Sequence, residues 1–361
     1  METTIQPARA IAPGWILTRE LEARGWTQKD LAGIMGRPPQ AINEIVKGSK
    51  QITPETALEL AEAFGTSAEL WINLEANFRL ALARSAKDGK DIARKSRLYS
   101  LAPVTELLKR GWIRPGSSFE ELEQAVYAFM GISSPDEMGK LAVSFRHAVQ
   151  RGPELNAQIA WVRRVEQAAA ARTVARFDQA RLEKILPAIL ACSAHEQDVA
   201  RLPGLLADAG VHFVIVGHLD KTFLDGAKLM CGKNPIIALT LRYDRIDSFW
   251  FTLLHELAHI FLKHKGSYLD DLYGGDHVDG EEKDANRLAG GWLLDDRAFK
   301  AFVSEAKPYF SKSVITRFAV SQGRHPGIVL GRLQHEQLVD YKNLRGMLMK
   351  VSPYLGEWVD R

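Results

Sequence analysis

Two histidines four residues apart, with a glutamate directly after the first, are the strongest chemical signal in this sequence of 361 residues. The histidines are His255 and His259, and the glutamate is Glu256. Positions i and i+4 share one face of a helix, so both imidazoles can reach the same metal ion. Glu256 is turned about 100° around the helix, where it can act as a general base on a metal-bound water. The pattern predicts a catalytic zinc site, and the alternative is a pair of hydrogen-bonded core histidines.

A catalytic zinc site needs a third protein ligand besides its open position, and acidic candidates follow on a later helix. Glu282 shares a helix face with Asn286, whose amide can orient a ligating histidine. Glu281 and Asp284 are alternatives, but acidic side chains near a helix start are also expected in solvent. His264 lies five residues after the second histidine and should face away from the same ion. We therefore predict Glu282 as the third ligand.

The chemistry that this site predicts is hydrolysis of a peptide bond by a zinc-bound water. Zinc lowers the pKa of the water and polarises a carbonyl group. Glu256 would accept the proton of the water and return it to the leaving amine. The candidates for stabilising the oxyanion are His325, Tyr273 and His277, each of which also fits an ordinary surface or core position. Two histidines and a carboxylate also suit other divalent metals.

The elements around the two histidines indicate a mixed α and β region. The histidines lie in a segment that is apolar on nearly every side, which predicts a buried helix over residues 247–263. A second helix, over residues 281–294, contains the small Ala285 and Ala289, which permit close packing. Short β-branched runs predict two strands of a small sheet, over residues 211–216 and 236–241.

The beginning of the sequence predicts five short helices. Thr27 and Asp30 have the spacing of a helix N-cap with an acid at the third helical position. Gly36 and Gly48 are placed to end helices. The predicted helices cover residues 15–21, 28–35, 40–47, 55–64 and 68–80. Within them, residues 27–48 have the length of a helix-turn-helix.

Composition and charge limit the classes to which the chain can belong. Hydrophobic residues make up 46% and charged residues 25%, which excludes disordered and fibrous proteins. No apolar run approaches the ~18 residues of a membrane helix, and the N-terminus has no pattern of a secretory signal, so we expect a cytoplasmic protein. The two cysteines lack CxxC spacing, which argues against a cysteine zinc site or a disulfide framework.

We expect three regions, over residues 1–80, 81–205 and 206–361. The first carries 8 basic and 10 acidic residues, a net charge of −2, and the second carries 19 and 14, a net charge of +5. The third has 20 of each and is neutral. The middle region is mostly amphipathic helix in pattern and is predicted to connect the other two. The expected fold class is mainly α with a small β-sheet.

Residues 210–294 resemble the ImmA/IrrE family of zinc metallopeptidases. The resemblance implies an α+β zincin-like domain over residues 206–361, with zinc held by His255, His259 and Glu282 and with Glu256 catalytic. It also implies cleavage of a repressor-like or antirepressor-like protein at a limited site. The chain departs from many members at Asp284, where they have Glu or Gln. The matching segments are GVHFVIV (210–216), PIIAL (235–239), FWFTLLHELAH (249–259), EKDAN (282–286) and the tail HPGIVLGRLQ (325–334).

The N-terminal region is similar to HigA-type antitoxins of the Xre class. The matching segments are GWIL (14–17), LE (21–22), GWTQKDLA (25–32), PPQAINEI (38–45), ITPETA (52–57) and LWINLEAN (70–77). This resemblance implies a homodimer that binds operator DNA through a five-helix helix-turn-helix domain. The alternative is a helical module that binds another protein.

Side chains suited to DNA lie where such a domain contacts its operator. Gln40 and Asn43 begin the second helix of the motif, where bases are read, and amides suit adenine edges. Thr27, Gln28 and Lys47 are predicted to contact phosphates. Because the region has a net charge of −2, phosphate neutralisation must come from local positive charge, at Arg37, Lys47 and Lys50, or DNA binding is weak.

Together these observations predict a DNA-binding transcriptional regulator that carries a zinc-dependent endopeptidase domain. Its expected partners are operator DNA, a regulatory protein of repressor or antitoxin type as substrate, or a partner toxin, with no membrane partner. Its setting would be a stress or toxin–antitoxin response. The alternative is a non-proteolytic repressor or antitoxin whose C-terminal domain is a metal-dependent sensor or a structural module.

Overall fold

The computed structural model describes residues 11–86, 90–138, 153–220, 222, 224–264 and 276–360. The chain divides into two compact units, Met1–Arg94 and Lys95–Arg361. Most of the region that we expected to connect two domains thus belongs to the second unit. The physical reason lies in the sheet, whose second face these helices cover.

All regular secondary structure in the described residues of the first unit is helical, as the sequence predicts. Thr27 begins the second helix with a full capping box: its Oγ1 accepts from Asp30 N at 3.2 Å, and its own N donates to Asp30 Oδ2 at 2.7 Å. Gly25 and Gly65 end helices with φ of 69° and 67°, which only glycine adopts without strain. The helices are α1 (Pro13–Arg24), α2 (Gln28–Ile34), α3 (Pro39–Val46), α4 (Pro54–Phe64) and α5 (Ala68–Ala86).

One apolar core joins the helices of the first unit. Leu17, Leu31, Ile42, Leu60 and Trp71 come from five different helices and are all fully buried in the same cluster. Each of the five helices therefore contributes to the same core. The five-helix prediction is therefore confirmed.

The second unit combines helices with a small sheet. The first of its helices, α6 (Lys90–Leu101), begins in the last residues of the first unit. The others are α7 (Val104–Lys109), α8 (Phe119–Met130), α9 (Pro153–Ala170), α10 (Gln179–Ala191), α11 (Leu202–Asp208), α12 (Ile246–Phe261), α13 (Asp276–Leu293), α14 (Asp296–Ala306), α15 (Lys312–Ser321) and α16 (Pro326–His335). Its strands are β1 (His212–Val216), β2 (Gly226–Cys231), β3 (Asn234–Leu239) and β4 (Val359–Asp360).

The sheet has the strand order β2-β3-β1-β4. Strand β1 pairs in parallel with both β3 and β4, whereas β2 and β3 are antiparallel. Two of its strands, β1 and β3, are those that the sequence predicts, with bounds shifted by up to two residues. The other two were not predicted, because β2 lacks β-branched residues and β4 is only two residues long.

Both faces of the sheet are buried, which explains why its central strands read as continuous apolar runs. Along β1, Phe213 and Ile215 pack into a core with helices α10 to α16. The alternating Val214 and Val216 pack into a second core with helices α6 to α9. The architecture is thus helix, sheet, helix in three layers.

Polar contacts tie helix α9 to the sheet. Trp161 Nε1 donates to the carbonyl oxygen of Val216 at 2.9 Å, and both groups are buried. Arg164 forms two hydrogen bonds with the carboxylate of Asp360 in β4, at 2.7 and 2.5 Å. The helices before residue 205 are therefore part of the fold of the second unit.

None of the helices in the described part of the chain is long and apolar enough to cross a membrane.

Candidate metal centre

Helix α12 contains both histidines and packs in the core of the second unit. It is buried along Phe249, Trp250, Leu253, Leu254 and Leu257, which pack into the core beside the sheet. This packing fixes the rotation of the helix, so the opposite stripe, which bears the histidines, must face helix α13.

Three side chains bring their ligand atoms together at one point between α12 and α13. His255 Nε2 lies 3.0 Å from His259 Nε2. Glu282 reaches both rings, with Oε2 at 3.2 Å from His255 Nε2 and Oε1 at 3.2 Å from His259 Nε2. Ligands around a tetrahedral zinc ion, each at about 2.0–2.1 Å from it, are separated by about 3.3 Å. The three donors therefore have the spacing that one such ion requires.

The hydrogen bonding of Glu282 also supports a bound cation. Glu282 Oε1 is buried, and within the described residues no donor meets the geometry of a hydrogen bond to it. A buried carboxylate oxygen without such a donor is costly unless a cation compensates it. Two imidazoles and a carboxylate are the ligand types that zinc takes in catalytic sites. These observations support a single divalent ion bound by His255, His259 and Glu282.

The charges of the three groups are coupled. Burial raises the pKa of Glu282, but its contacts with His255 and His259 outweigh burial and lower the pKa to about 2. Burial lowers the pKa of His255, and the contacts with Glu282 and the nearby charge of Glu256 outweigh it, so the net direction is upward. The carboxylate of Glu282 is thus ionised, as a metal ligand must be.

The second ring nitrogen of each histidine, Nδ1, lies within hydrogen-bond distance of another side chain. His255 Nδ1 lies 3.1 Å from Asn286 Oδ1, so the ring can donate a hydrogen bond to the amide oxygen and keep Nε2 for a metal. His259 Nδ1 lies 3.0 Å from His264 Nδ1. These contacts fix the orientation of both rings.

The position of His264 is a finding that the sequence did not reveal. As expected, its ring is outside the three-residue donor cluster. Instead it contacts the far side of His259, because Lys263 adopts a φ of 55° and turns the chain back after the helix. Lys228 Nζ, on strand β2, donates to the carbonyl oxygen of His264 at 2.6 Å and holds this turn. No local sequence signal predicts a left-handed lysine.

Glu281 and Asp284, the alternatives for the third ligand, lie outside the cluster. Glu281 Oε2 is 4.0 Å from His264 Nδ1, and Asp284 Oδ1 accepts from Arg287 at 2.8 Å. Both therefore have contacts other than the two ligating histidines, as expected for acidic residues near a helix start.

Glu256 is 2% exposed and lies against strand β2. A Cβ atom at Gly226 would approach Glu256 Oε1 to 3.1 Å and Thr252 Cγ2 to 2.6 Å. The strand can therefore approach the helix this closely only because residue 226 is glycine. Sequence reasoning missed Gly226, since it did not predict strand β2.

The candidates for an oxyanion-stabilising group are not supported by the described contacts. His325 Nδ1 accepts from Gly327 N at 3.0 Å and caps helix α16, while its Nε2 lies 3.5 Å from Glu196. Burial lowers the pKa of His325. This histidine has a structural role at a helix start. Tyr273 and the side chain of His277 lie outside the described residues.

The five side chains proposed from the sequence for DNA contact lie on helices α2 and α3 or next to them. Asn43 Nδ2 donates to Gln28 Oε1 at 3.2 Å, which links the two helices. Gln40 Nε2 donates to Glu44 Oε1 at 3.0 Å within helix α3. Thr27 caps helix α2, so its hydroxyl has a structural partner before any DNA contact.

Positive charge in the first unit is partly compensated. Arg37 forms two hydrogen bonds with the carboxylate of Glu59, at 2.5 and 3.0 Å, and Glu59 thereby offsets its charge. Lys47 and Lys50 are exposed just after helix α3. The local charge that phosphate contact requires is thus reduced at Arg37 and remains at the two lysines.

Comparison with known proteins finds two families that match different parts of the chain, one within each unit. The family described as "Helix-turn-helix" matches residues 17–71, and the family described as "IrrE N-terminal-like domain" matches residues 218–323. The second span contains Glu256 and all three donor residues of the metal centre.

Three similar proteins match about a quarter of the chain. The chain is 38% identical over 84 residues to "Virulence-associated protein I" of Dichelobacter nodosus, across 23% of the chain and 78% of that protein. It is 29% identical over 88 residues to the "Uncharacterized HTH-type transcriptional regulator YddM" of Escherichia coli (strain K12), across 24% of the chain and 90% of that protein. A solved structure of an addiction module antidote protein of a HigA family from Coxiella burnetii is 36% identical, covering 24% of this chain and 94% of that chain, with a TM-score of 0.23.

Proposed function

We propose a function for this chain from one premise: it belongs to the Xre-type helix-turn-helix family and carries an IrrE N-terminal-like peptidase domain. The chain is a DNA-binding transcriptional regulator whose second unit is a zinc-dependent endopeptidase. Its substrate is a specific regulatory protein of repressor or antitoxin type, cleaved in a stress or toxin–antitoxin response. Such a regulator works in the cytoplasm, where its operator is.

The observation that carries the proposal is a buried glutamate beside a three-ligand centre. His255, His259 and Glu282 bring their donor atoms within 4.8 Å of one another, and Glu256 follows the first histidine on the same helix. A structural zinc site has four protein ligands and needs no carboxylate next to the ion. The described residues supply three ligands and an adjacent general base, which is the arrangement of a hydrolytic site.

The residues have separate tasks in the reaction. When bound, zinc supplies a Lewis acid for the substrate carbonyl and lowers the pKa of a coordinated water. Asn286 and His264 hold the two ligating rings in place through Nδ1. Glu256 accepts the proton of the attacking water and delivers it to the leaving amine. Its burial against β2 restricts its carboxylate to a small set of positions.

The first unit directs the protein to its operator. Gln40 and Asn43 lie on the recognition helix of the motif, where amide side chains suit adenine edges. Thr27, Gln28 and Lys47 are placed for phosphate contact. An operator with two half-sites would be bound by a homodimer.

Metal analysis tests the centre first. Elemental mass spectrometry of the purified full chain should find about one zinc per chain. The substitution His255→Ala should remove it, whereas Glu256→Gln and the control His195→Ala, at an exposed histidine, should retain it. Absence of metal from carefully handled wild type would contradict the proposal.

Cleavage is tested in cells that express the wild type or Glu256→Gln in place of it. Mass spectrometry of protein N-termini should find one or a few new termini in regulatory proteins that depend on Glu256. If the variant binds zinc and both strains have identical N-termini under stress, the endopeptidase assignment fails. The metal would then belong to a sensor or structural module of a non-proteolytic regulator.

A further inference from the structure

Helices α12 and α13 meet through a series of residue pairs, one helical turn apart. His259 faces Glu282, and one turn along, His255 faces Asn286. By the same spacing, the next positions in this series are Phe251 and Gly290. At this position α13 has no side chain to place between the helices. Both Phe251 and Gly290 line a cavity of about 480 Å³.

The cavity lies next to the metal centre, with the ring of Phe251 between them. The ring of Phe251 packs against the ring of His255, with 6.2 Å between the ring centroids and an angle of 29° between the planes. Phe251 is nevertheless 40% exposed, since the space on its other side is the cavity. One aromatic ring thus separates the first metal ligand from the cavity.

Part of the cavity wall consists of apolar side chains. Leu293, Leu294 and Ile328 line it and are themselves almost fully buried. Together with Phe251 they form a surface that favours an apolar group by removing it from water. A volume of this size accommodates a phenyl ring with its adjoining backbone.

The two arginines and the aspartate that line the cavity already have partners. Arg245 forms two hydrogen bonds with Asp247, at 3.1 and 2.6 Å. Arg332 lies 3.2 Å from Asp296 and also contacts Glu336. A charged ligand group would therefore have to compete with an existing ion pair, whereas an apolar group would not.

We infer that this cavity is the subsite for a large apolar side chain (phenylalanine, leucine or methionine) of the peptide bound at the metal centre. Gly290 keeps the subsite open, and Phe251 aligns the side chain next to His255. That the ligand is a peptide rests on the proposed function. Occupation of the cavity itself requires only the apolar walls, so it can be measured without metal.

Two leucine substitutions in the same helix make a matched pair. A Cβ at Gly290 would meet only the end of Arg332, at 3.5 Å, and a leucine side chain would extend into the cavity. A Cβ at Gly291 meets nothing within 4 Å, so Gly291→Leu is the control. Both substitutions replace a poor helix former by a good one, and both variants should fold.

The probe is N-acetyl-4-fluorophenylalaninamide, titrated into the metal-free full chain and followed by ¹⁹F NMR. We expect saturable binding to the wild type and to Gly291→Leu, and at least about tenfold weaker binding to Gly290→Leu. N-acetylleucinamide should displace the probe, whereas N-acetyllysinamide should not.

Equal binding to Gly290→Leu, or absence of binding to the wild type, would overturn the inference. Displacement by the lysine derivative as readily as by the leucine derivative would overturn the apolar assignment. Metal content is measured separately on the same three proteins. A chain that binds the probe but no metal would refute the peptidase and leave the cavity assignment intact.

Discussion

Each of the two histidines in the candidate metal centre has one ring nitrogen at the donor cluster and the other against a neighbouring side chain. The neighbour of His255 is on the next helix, at Asn286, and the neighbour of His259 is just beyond its own helix, at His264. Because a ring held at both nitrogens cannot rotate, the donor atoms are positioned before a metal arrives. The two neighbours should therefore affect metal affinity without contributing a ligand.

Replacing His264 by alanine should weaken zinc binding by about tenfold to a hundredfold, the range found when such supporting groups are removed. His264→Gln, whose amide oxygen can accept from His259 Nδ1, should recover part of the loss. The measurement is competition with a chromophoric chelator at fixed pH. His195→Ala serves as control, and an affinity for His264→Ala equal to that control would show that the contact is incidental.

The shared face of His255 and His259 and the different direction of Glu256 were predictable, because the geometry of a helix fixes the relation of residues i, i+1 and i+4. The approach of Glu282 to both histidines was predictable, because Glu282 lies on the same helix face as Asn286. His264 and Gly226 were not, because their positions depend on a chain reversal at Lys263 and on a strand without β-branched residues. Local periodicity carries no information on either.

Among the secondary-structure elements, helix termini and close helix–strand contacts position the functional side chains. Helix α2 starts at the Thr27–Asp30 capping box, which sets where the motif turns toward α3. In the second unit, strand β2 lies directly against helix α12 at Gly226. Each contact depends on one residue type, and each gives a sharp prediction.

Thr27→Ala should destabilise helix α2 by about 1 kcal/mol, because the amide of Asp30 loses its acceptor. Amide hydrogen exchange of peptides from residues 28–34 should become roughly fivefold faster. Thr27→Ser retains the hydroxyl and should exchange nearly as slowly as the wild type. Unchanged protection in Thr27→Ala would mean that the cap does not limit the stability of the helix.

Gly226→Ala should destabilise the second unit by about 1–3 kcal/mol, since the added methyl group overlaps Thr252 and presses on Glu256. We expect a lower urea midpoint and reduced cleavage, with zinc still bound. Gly204→Ala is the control, because a Cβ there meets nothing within 4 Å and lies in a helix. Cleavage and stability equal to the control would contradict the role given to Gly226.

For the whole molecule, the layered arrangement of the second unit decides which part of the chain can fold alone. Val214 and Val216 on β1, with Ile236 and Ala238 on β3, face the helices that precede residue 205. The sequence predicts these helices but not where they pack, because an apolar stripe does not identify the surface against which its helix packs. The sheet needs them, since its second face is as apolar as its first.

A chain of residues 206–361 alone should therefore expose this face and aggregate or bind hydrophobic dyes. A chain of residues 95–361 should remain monodisperse, retain the circular dichroism of a folded protein and bind zinc. Size-exclusion chromatography with a dye-binding assay distinguishes the two. A soluble, zinc-binding 206–361 fragment would contradict the assignment of the preceding helices to this fold.

Strand β4, with Asp360 bonded to Arg164, has a consequence for the order of events during synthesis. Translation proceeds from the N-terminus at about 5–20 residues per second, so residues 95–360 take on the order of 10 to 50 s. The helix-turn-helix unit leaves the ribosome early in that interval and can then fold. The sheet beneath the metal centre gains its last strand only when residue 360 emerges. Every newly made molecule thus passes through a period in which its first unit is complete and its second is not.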